Sequence, residues 1–271
     1  METKLTNLIQ LTLILCLVSI ATCLAIPRYH IQVAQPLIIA HRTCPLDAPE
    51  NSLAGIRVAA EQGADAVEID LRVSLDQRPF LLHDWTMRRM TGFPLPIELT
   101  PSYQVRLQRL GRSQERVPSL ADALDALPPH MLVAVDVKTP WAMLPLLREV
   151  KRRRMEARVL IWCTSALAVR WVSKRAPAIE TSYLKDLDDD AHNRDFIARA
   201  KRIGAGAVSA HWSAIDADFV AAARDLGLRV YSFDSANEMT EGKLTSGLAG
   251  LITDHVADAR AKLDALGLVE S

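Results

Sequence analysis

Val67-Glu68-Ile69-Asp70-Leu71 and, after a short polar break, Phe80-Leu81-Leu82-His83-Asp84 are the stretches on which the fold turns. Residues two apart on a β-strand project to one face. Glu68 and Asp70 therefore stand side by side, while Val67, Ile69 and Leu71 face the other way. Two carboxylates on one face of a buried strand are costly unless a positive group lies between them. A divalent cation meets that need, and an all-oxygen ligand set favours Mg²⁺ or Ca²⁺. Asp76-Gln77 is turn-like, with Arg78-Pro79 behind it. Under a two-residue turn at that point, opposed residues have numbers that sum to about 153. That register places His83 across from Asp70, on the carboxylate face. An ordinary hairpin with a solvated polar face is the plain alternative. The continuous apolar residues on the opposite face argue for the metal-lined reading.

Working outward, short apolar runs alternate with amphipathic helical stretches. Candidate strands lie at 37–40, 66–71, 80–82, 131–137, 159–163, 181–184, 207–210, 229–233 and 250–252. Candidate helices lie at 52–62, 120–127, 142–153, 166–174, 194–203, 216–226 and 257–266. Asn51-Ser52, and Ser119 with Asp122 three residues on, are good helix starts. The alternation predicts a parallel α/β fold. Nine candidate strands are one more than an eight-stranded TIM (β/α)8 barrel holds. The excess is accounted for if the return arm of the β-hairpin is an addition. A doubly wound open sheet is the alternative, but no glycine-rich loop follows the first strand. Residues 91–116 are the least regular part and read as a short insertion or lid.

The 271 residues are 49% hydrophobic and 24% charged, with a formal net charge of zero. That suits one large core and gives no sign of a nucleic-acid binder. No charge falls between Leu5 and Pro27, a run long enough to span a bilayer as a helix. Residues 1–30 are therefore expected to be a hydrophobic N-terminal helix, as a membrane anchor or a signal segment. The domain 34–271 then stands on the non-cytoplasmic side of the membrane, or is secreted or periplasmic after cleavage. Cys44 and Cys163 have no metal-type spacing and read as free thiols rather than a disulfide.

In a β/α barrel, chemistry sits at the C-terminal strand ends. Strand one ends in His41-Arg42, with Glu50-Asn51 at the next helix start; the hairpin arm ends in His83-Asp84. Asp136 and Lys138 stand two apart on another strand, His211-Trp212 ends a later one, and Thr253-Asp254 ends the last. The set suits a phosphate ester. A metal on Glu68, Asp70 and Asp136, with Arg42 and Lys138, would neutralise the phosphate, while His41 and His83 exchange protons with the attacking and leaving oxygens. A single His or Lys at a strand end is more often structural; convergence from several strands carries the reading.

The same residues resemble the glycerophosphodiester phosphodiesterase family. His41-Arg42, Pro49-Glu50-Asn51-Ser52, the run from Gly63 to Asp70 and Leu82-His83-Asp84 follow its motifs in order. So do Val117-Pro118-Ser119-Leu120, Asp136-Val137-Lys138 and Gly250-Leu251-Ile252-Thr253-Asp254. The resemblance covers nearly everything from Leu37 onward. It implies a TIM barrel that hydrolyses glycerophosphodiesters to an alcohol and sn-glycerol 3-phosphate, with the substrate's glycerol hydroxyl attacking first. It implies His41 and His83 as the acid/base pair and Ca²⁺ or Mg²⁺ on Glu68, Asp70 and Asp136. Arg42 and Lys138 would bind phosphate, and Glu50 would either ligate the metal or orient Arg42.

Three positions depart from the family pattern. Thr43 replaces a glycine and is expected to reshape the phosphate side of the pocket. Asp136 replaces a glutamate and is shorter by one methylene. Phe233-Asp234 replaces a different strand end, where the substrate is chosen. A lysophospholipase D-type or other phospholipid phosphodiesterase is an alternative, with Trp85 and Trp212 lining an apolar mouth. A catalytically impaired barrel that binds phosphodiesters is the alternative of another class. Residues 186–190 are an acidic loop, read as solvated rather than as a second calcium site.

Overall fold

The computed structural model describes residues 35–185, 192–233 and 241–267. The expected N-terminal helix and the acidic loop at 186–190 lie outside these residues, and among the described residues no helix is long and apolar enough to cross a membrane.

Among the described residues, nine strands form one sheet: β1 (Leu37–Ala40), β2 (Ala66–Val73), β3 (Pro79–Leu81), β4 (Leu132–Val137), β5 (Val159–Cys163), β6 (Glu180–Leu184), β7 (Ala207–His211), β8 (Arg229–Phe233) and β9 (Gly250–Thr253). Eight of them are parallel neighbours in the order β1, β9, β8, β7, β6, β5, β4, β2, and β1 pairs with β2 to close the barrel. Helices follow the parallel strands, among them Leu53–Glu61, Leu120–Ala126, Met143–Arg153 and Asn193–Ile203. Their starts are those the sequence marks: Ser52 Oγ accepts from Gly55 N at 2.9 Å, and Ser119 with Asp122 forms a capping box.

The ninth strand is an addition, for a geometric reason. The eight residues of β2 outrun their neighbour: the inner half pairs with β1 (Ile39 with Ala66, Ala40 with Val67), and the outer half pairs antiparallel with β3 (Leu71 with Leu81, Val73 with Pro79). This register is one residue off the expected one. Leu82, not His83, lies opposite Asp70, its N–H donating to Asp70 O at 3.0 Å. The turn is the cause. Gln77 N donates to Ser74 O, Ser74 N donates to Arg78 O, and Gln77 takes φ 59. That is a three-residue loop with a left-handed last residue, and an odd loop moves the pairing by one.

Parity along the strands divides two cores. Val67, Ile69 and Leu71 of β2 pack outward under the helices, together with Val133, Val135 and Val137 of β4. Ala66 and Ala134 point inward, packed with Ile39, Leu160, Trp162 and Tyr231 in the floor of the barrel. The same inward parity brings Glu68, Asp70 and Asp136 above that floor. A third cluster (Phe80, Leu82, Met87, Ile97, Val105, Leu110 and Val117) lies under the insertion, which is thus a packed element with its own small core.

Candidate active site

A cavity of about 580 Å³ opens at the C-terminal strand ends, lined by His41, Arg42, Glu68, Asp70, His83, Asp136 and Lys138 among others. The seven expected catalytic, phosphate-binding and metal residues thus meet in one place.

The carboxylates occupy its centre. Asp70 and Asp136 are register partners on β2 and β4, and with Glu68 they bring ligand oxygens within 4.8 Å of one another, all three buried. Lys138 Nζ lies 2.9 Å from Asp70 Oδ1 and also pairs with Asp136. Asn51 grips Asp70 twice: Nδ2 donates to Oδ2 at 2.7 Å, and the Asp70 N–H donates to Asn51 Oδ1 at 2.9 Å. Glu68 accepts from Arg42 N at 2.8 Å. Burial and then the Asp70 charge push the Glu68 carboxyl up to about 8. Burial also raises Asp136. Asp70 is buried too, but Lys138, His83 and Arg42 outweigh the burial and hold it below the usual range. Without a bound cation Glu68 therefore keeps its proton at neutral pH, and a cation at this cluster would have to displace it. Three hard oxygen donors, with an ammonium already between two of them, fit a hard divalent cation. The shorter Asp136 still reaches the group, because its backbone is level with Asp70.

Two imidazoles flank this centre, each steered by an aspartate. His41 Nδ1 is 2.8 Å from Asp254 Oδ1, and His83 Nδ1 is 2.8 Å from Asp84 Oδ1. A carboxylate only accepts, so in both rings Nδ1 donates and Nε2 is turned to the cavity side. Burial disfavours the His41 imidazolium, but the Asp254 hydrogen bond and the Glu68 and Asp254 charges outweigh it and raise its pKa. Hydrogen bonding from Arg89 holds Asp84 well below the usual carboxylate range. His83 reaches the cavity from the bend that follows β3, not from a ladder position.

The phosphate side begins with a strained loop. Arg42, Thr43 and Cys44 have φ of 42, 65 and 83, a left-handed run without glycine. Thr43 itself does not line the cavity. It is buried against the next helix start, where its Oγ1 accepts from Ser52 N at 3.1 Å and a Cβ on Gly55 would collide with its carbonyl and hydroxyl oxygens. The loop leaves Arg42 Nε 3.6 Å from Asp70 and Nη1 3.4 Å from Glu50. Glu50 therefore orients Arg42 and stands outside the metal-type cluster.

The expected place of Trp212 is corrected. It is buried in the outer core with Ile215 and Phe219, because the chain turns at His211 and carries the indole under the helices. Trp85 is an exposed residue outside the cavity lining. Trp162 and Phe233 provide the aromatic wall instead, with Leu184, Lys185 and His211 beside them. Asp234 lies outside the described residues. Cys44 and Cys163 are both free and buried, as read. Sequence reasoning missed Asn51, Arg89 and Trp162 as site elements. It quoted Asp84 and Asp254 without a role, although the residue after His83 and the acid closing β9 were signals at hand.

Comparison with known proteins agrees with this geometry. A glycerophosphodiester phosphodiesterase of Caldanaerobacter subterraneus is 26% identical over 233 residues, covering 80% of this chain and 93% of that one. Mouse glycerophosphodiester phosphodiesterase 1 is 38% identical over 125 residues, but these cover 41% of this chain and only 38% of that protein. An Oleispira antarctica phosphodiesterase, solved with the product sn-glycerol-3-phosphate, superposes with a TM-score of 0.77 at 24% identity, covering 86% of this chain and all of that one. The Thermotoga maritima glycerophosphodiester phosphodiesterase does so with 0.72 at 18% identity, covering 87% of this chain and all of that one. At such identities the structural likeness speaks for the barrel. The family model for glycerophosphoryl diester phosphodiesterases goes further: it matches residues 41–258, from His41 to beyond its partner Asp254, and the chain belongs to that family.

Proposed function

We propose that this chain is a phosphoric diester hydrolase that cleaves glycerophosphodiesters to an alcohol and sn-glycerol 3-phosphate, using Ca²⁺ or Mg²⁺. The carrying observation is the pair of Asp-held imidazoles on either side of one buried three-carboxylate cluster, with Arg42 and Lys138 in the same cavity.

Glu68, Asp70 and Asp136 would hold the cation, which would supply charge neutralisation for the phosphate during attack. Arg42 and Lys138 take the remaining phosphate oxygens. One Nε2 accepts the proton of the attacking glycerol hydroxyl, and the other Nε2 donates a proton to the leaving alcohol oxygen. The glycerol oxygen bonds to phosphorus as the bond from phosphorus to the leaving alcohol breaks, and water then opens the resulting cyclic phosphate with the two roles exchanged. The structure's low-lying Asp84 and Asp254 keep their negative charge throughout, so each stabilises the imidazolium that forms beside it.

The aromatic and aliphatic wall of Trp162, Leu184 and Phe233 favours a second substrate reading, a lysophospholipid whose chain leaves along that side. A catalytically impaired binding barrel is the weaker reading, since Asp136 still joins the cluster and both imidazoles are in place. The test is turnover of a panel of glycerophosphodiesters and lysophospholipids with Ca²⁺, Mg²⁺ or chelator. Release of glycerol 3-phosphate or lysophosphatidic acid that stops on chelation supports the proposal; binding without turnover supports the impaired barrel. Residues 1–30 are carried as a membrane anchor, with the barrel on the non-cytoplasmic side, on the strength of the uncharged run alone. Membrane fractionation and N-terminal sequencing separate it from a cleaved signal.

A further inference from the structure

Arg89 grips two carboxylates at once, and each of them serves a different arm of the site. Its Nε and Nη2 donate to Asp84 at 2.6 and 3.1 Å, and its Nη1 and Nη2 donate to Glu50 at 2.9 and 2.6 Å. Asp84 in turn accepts from His83, and Glu50 from Arg42. One guanidinium on the short helix Arg88–Thr91, at the entrance to the insertion, thus joins a candidate acid/base group to a candidate phosphate ligand. We propose that Arg89 is a positioning residue, a two-sided clamp by which the insertion sets His83 and Arg42 in place relative to each other. The proposal rests on the function argued above, because it gives those two arms their roles.

Chemistry sets this apart from a plain surface tether. The Arg89 side chain is 46% exposed, so its ion pairs contribute little to stability. A tether needs only positive charge. A clamp needs the planar fork, which offers parallel N–H pairs to two carboxylates and which an ammonium cannot copy. Supporting groups of this kind act through geometry: small displacements of a reacting group cost about 100-fold in rate while leaving the fold intact.

The test compares Arg89→Lys, Arg89→Met and Glu50→Gln with Arg88→Met, an exposed neighbour on the same turn, as control. With glycerophosphocholine as substrate, Arg89→Met is expected to lower kcat and raise KM, for a combined loss of about 10- to 100-fold. Arg89→Lys should fall in the same range despite its charge. Glu50→Gln should raise KM with kcat nearly kept, because it releases only the Arg42 arm. Arg88→Met should match the parent. A second readout does not depend on turnover: the Nδ1–H resonance of His83 in ¹⁵N spectra. It should be sharp in the parent and broadened in both Arg89 variants, while that of His41, held by Asp254 outside the clamp, persists in all. Full activity of Arg89→Lys, or an unchanged His83 resonance in either Arg89 variant, overturns the proposal. If Arg89→Met fails to fold, the lysine variant and Glu50→Gln carry the test. A parent chain without turnover on any substrate overturns the functional reading, and the resonance comparison still decides the clamp.

Discussion

Asp70 and Asp136 stand level with each other on the adjacent parallel strands β2 and β4, and the Lys138 ammonium lies against both. Like charges on neighbouring strands repel unless a cation joins them. In the bare protein Lys138 fills that role in part.

Replacing it exposes the repulsion. Lys138→Met should destabilise the chelator-treated protein by about 3 kcal/mol, since it leaves buried carboxylates without their partner. Ca²⁺ or Mg²⁺ should restore much of that loss, and KM for substrate should rise. Urea unfolding with and without metal, beside steady-state kinetics, checks all three.

The raised Glu68 pKa makes metal binding and stability depend on pH. The folded protein holds a Glu68 proton up to about 8, while the unfolded chain releases it near 4.5. The unfolded state thus binds fewer protons between these values, and the stability of the metal-free protein should fall as pH rises through that window. A bound divalent cation requires the carboxylate, so binding at pH 7 should release protons and tighten as pH rises. Calorimetry in buffers of different ionisation enthalpy measures the protons, and melting curves across pH measure the stability.

Both imidazoles should be needed, and so should the aspartates that steer them. His41→Ala and His83→Ala should each lower kcat by about 10³-fold with little change in melting temperature. Asp254→Asn should also cost about 10²- to 10⁴-fold, because an amide can donate to Nδ1 and favour the wrong tautomer. Activity assays with thermal melts on the same samples separate loss of chemistry from loss of fold.

The strained loop beneath Arg42 predicts a sensitive position far from the chemistry. Gly55→Ala sets a methyl against the Thr43 carbonyl and hydroxyl, and should destabilise the protein by about 2–3 kcal/mol while displacing Arg42. Thr43→Ala in the same chain should not rescue it, because the backbone carbonyl remains. Denaturant midpoints of the single and double variants check this.

Much of the architecture was readable because strand parity and helix caps are local. Glu68 and Asp70 share a face by parity alone, and Ser119 with Asp122 marks its helix within four residues. The motif residues at strand ends were readable for the same reason: a β/α barrel sends every such end to one rim. The hairpin register was misread because it depended on Gln77 adopting a left-handed conformation, which a polar turn sequence does not impose. Trp212 was misplaced because the turn after β7, not the strand's parity, decides which side of the barrel receives it.

By itself, then, the sequence determined the order of the nine strands, the shared face of Glu68 and Asp70 and the placing of His41 and His83 beside strand ends, all set by patterns a few residues long. Closure of the barrel decided the rest. It brought Asp254 to His41 across 213 residues and carried Arg89 to Glu50 across 39. It also chose Trp162 over Trp212 for the cavity wall. Those partnerships arise when β1 meets β9 and β2, because hydrogen bonds and ion pairs act over a few ångströms in space, whatever the separation along the chain.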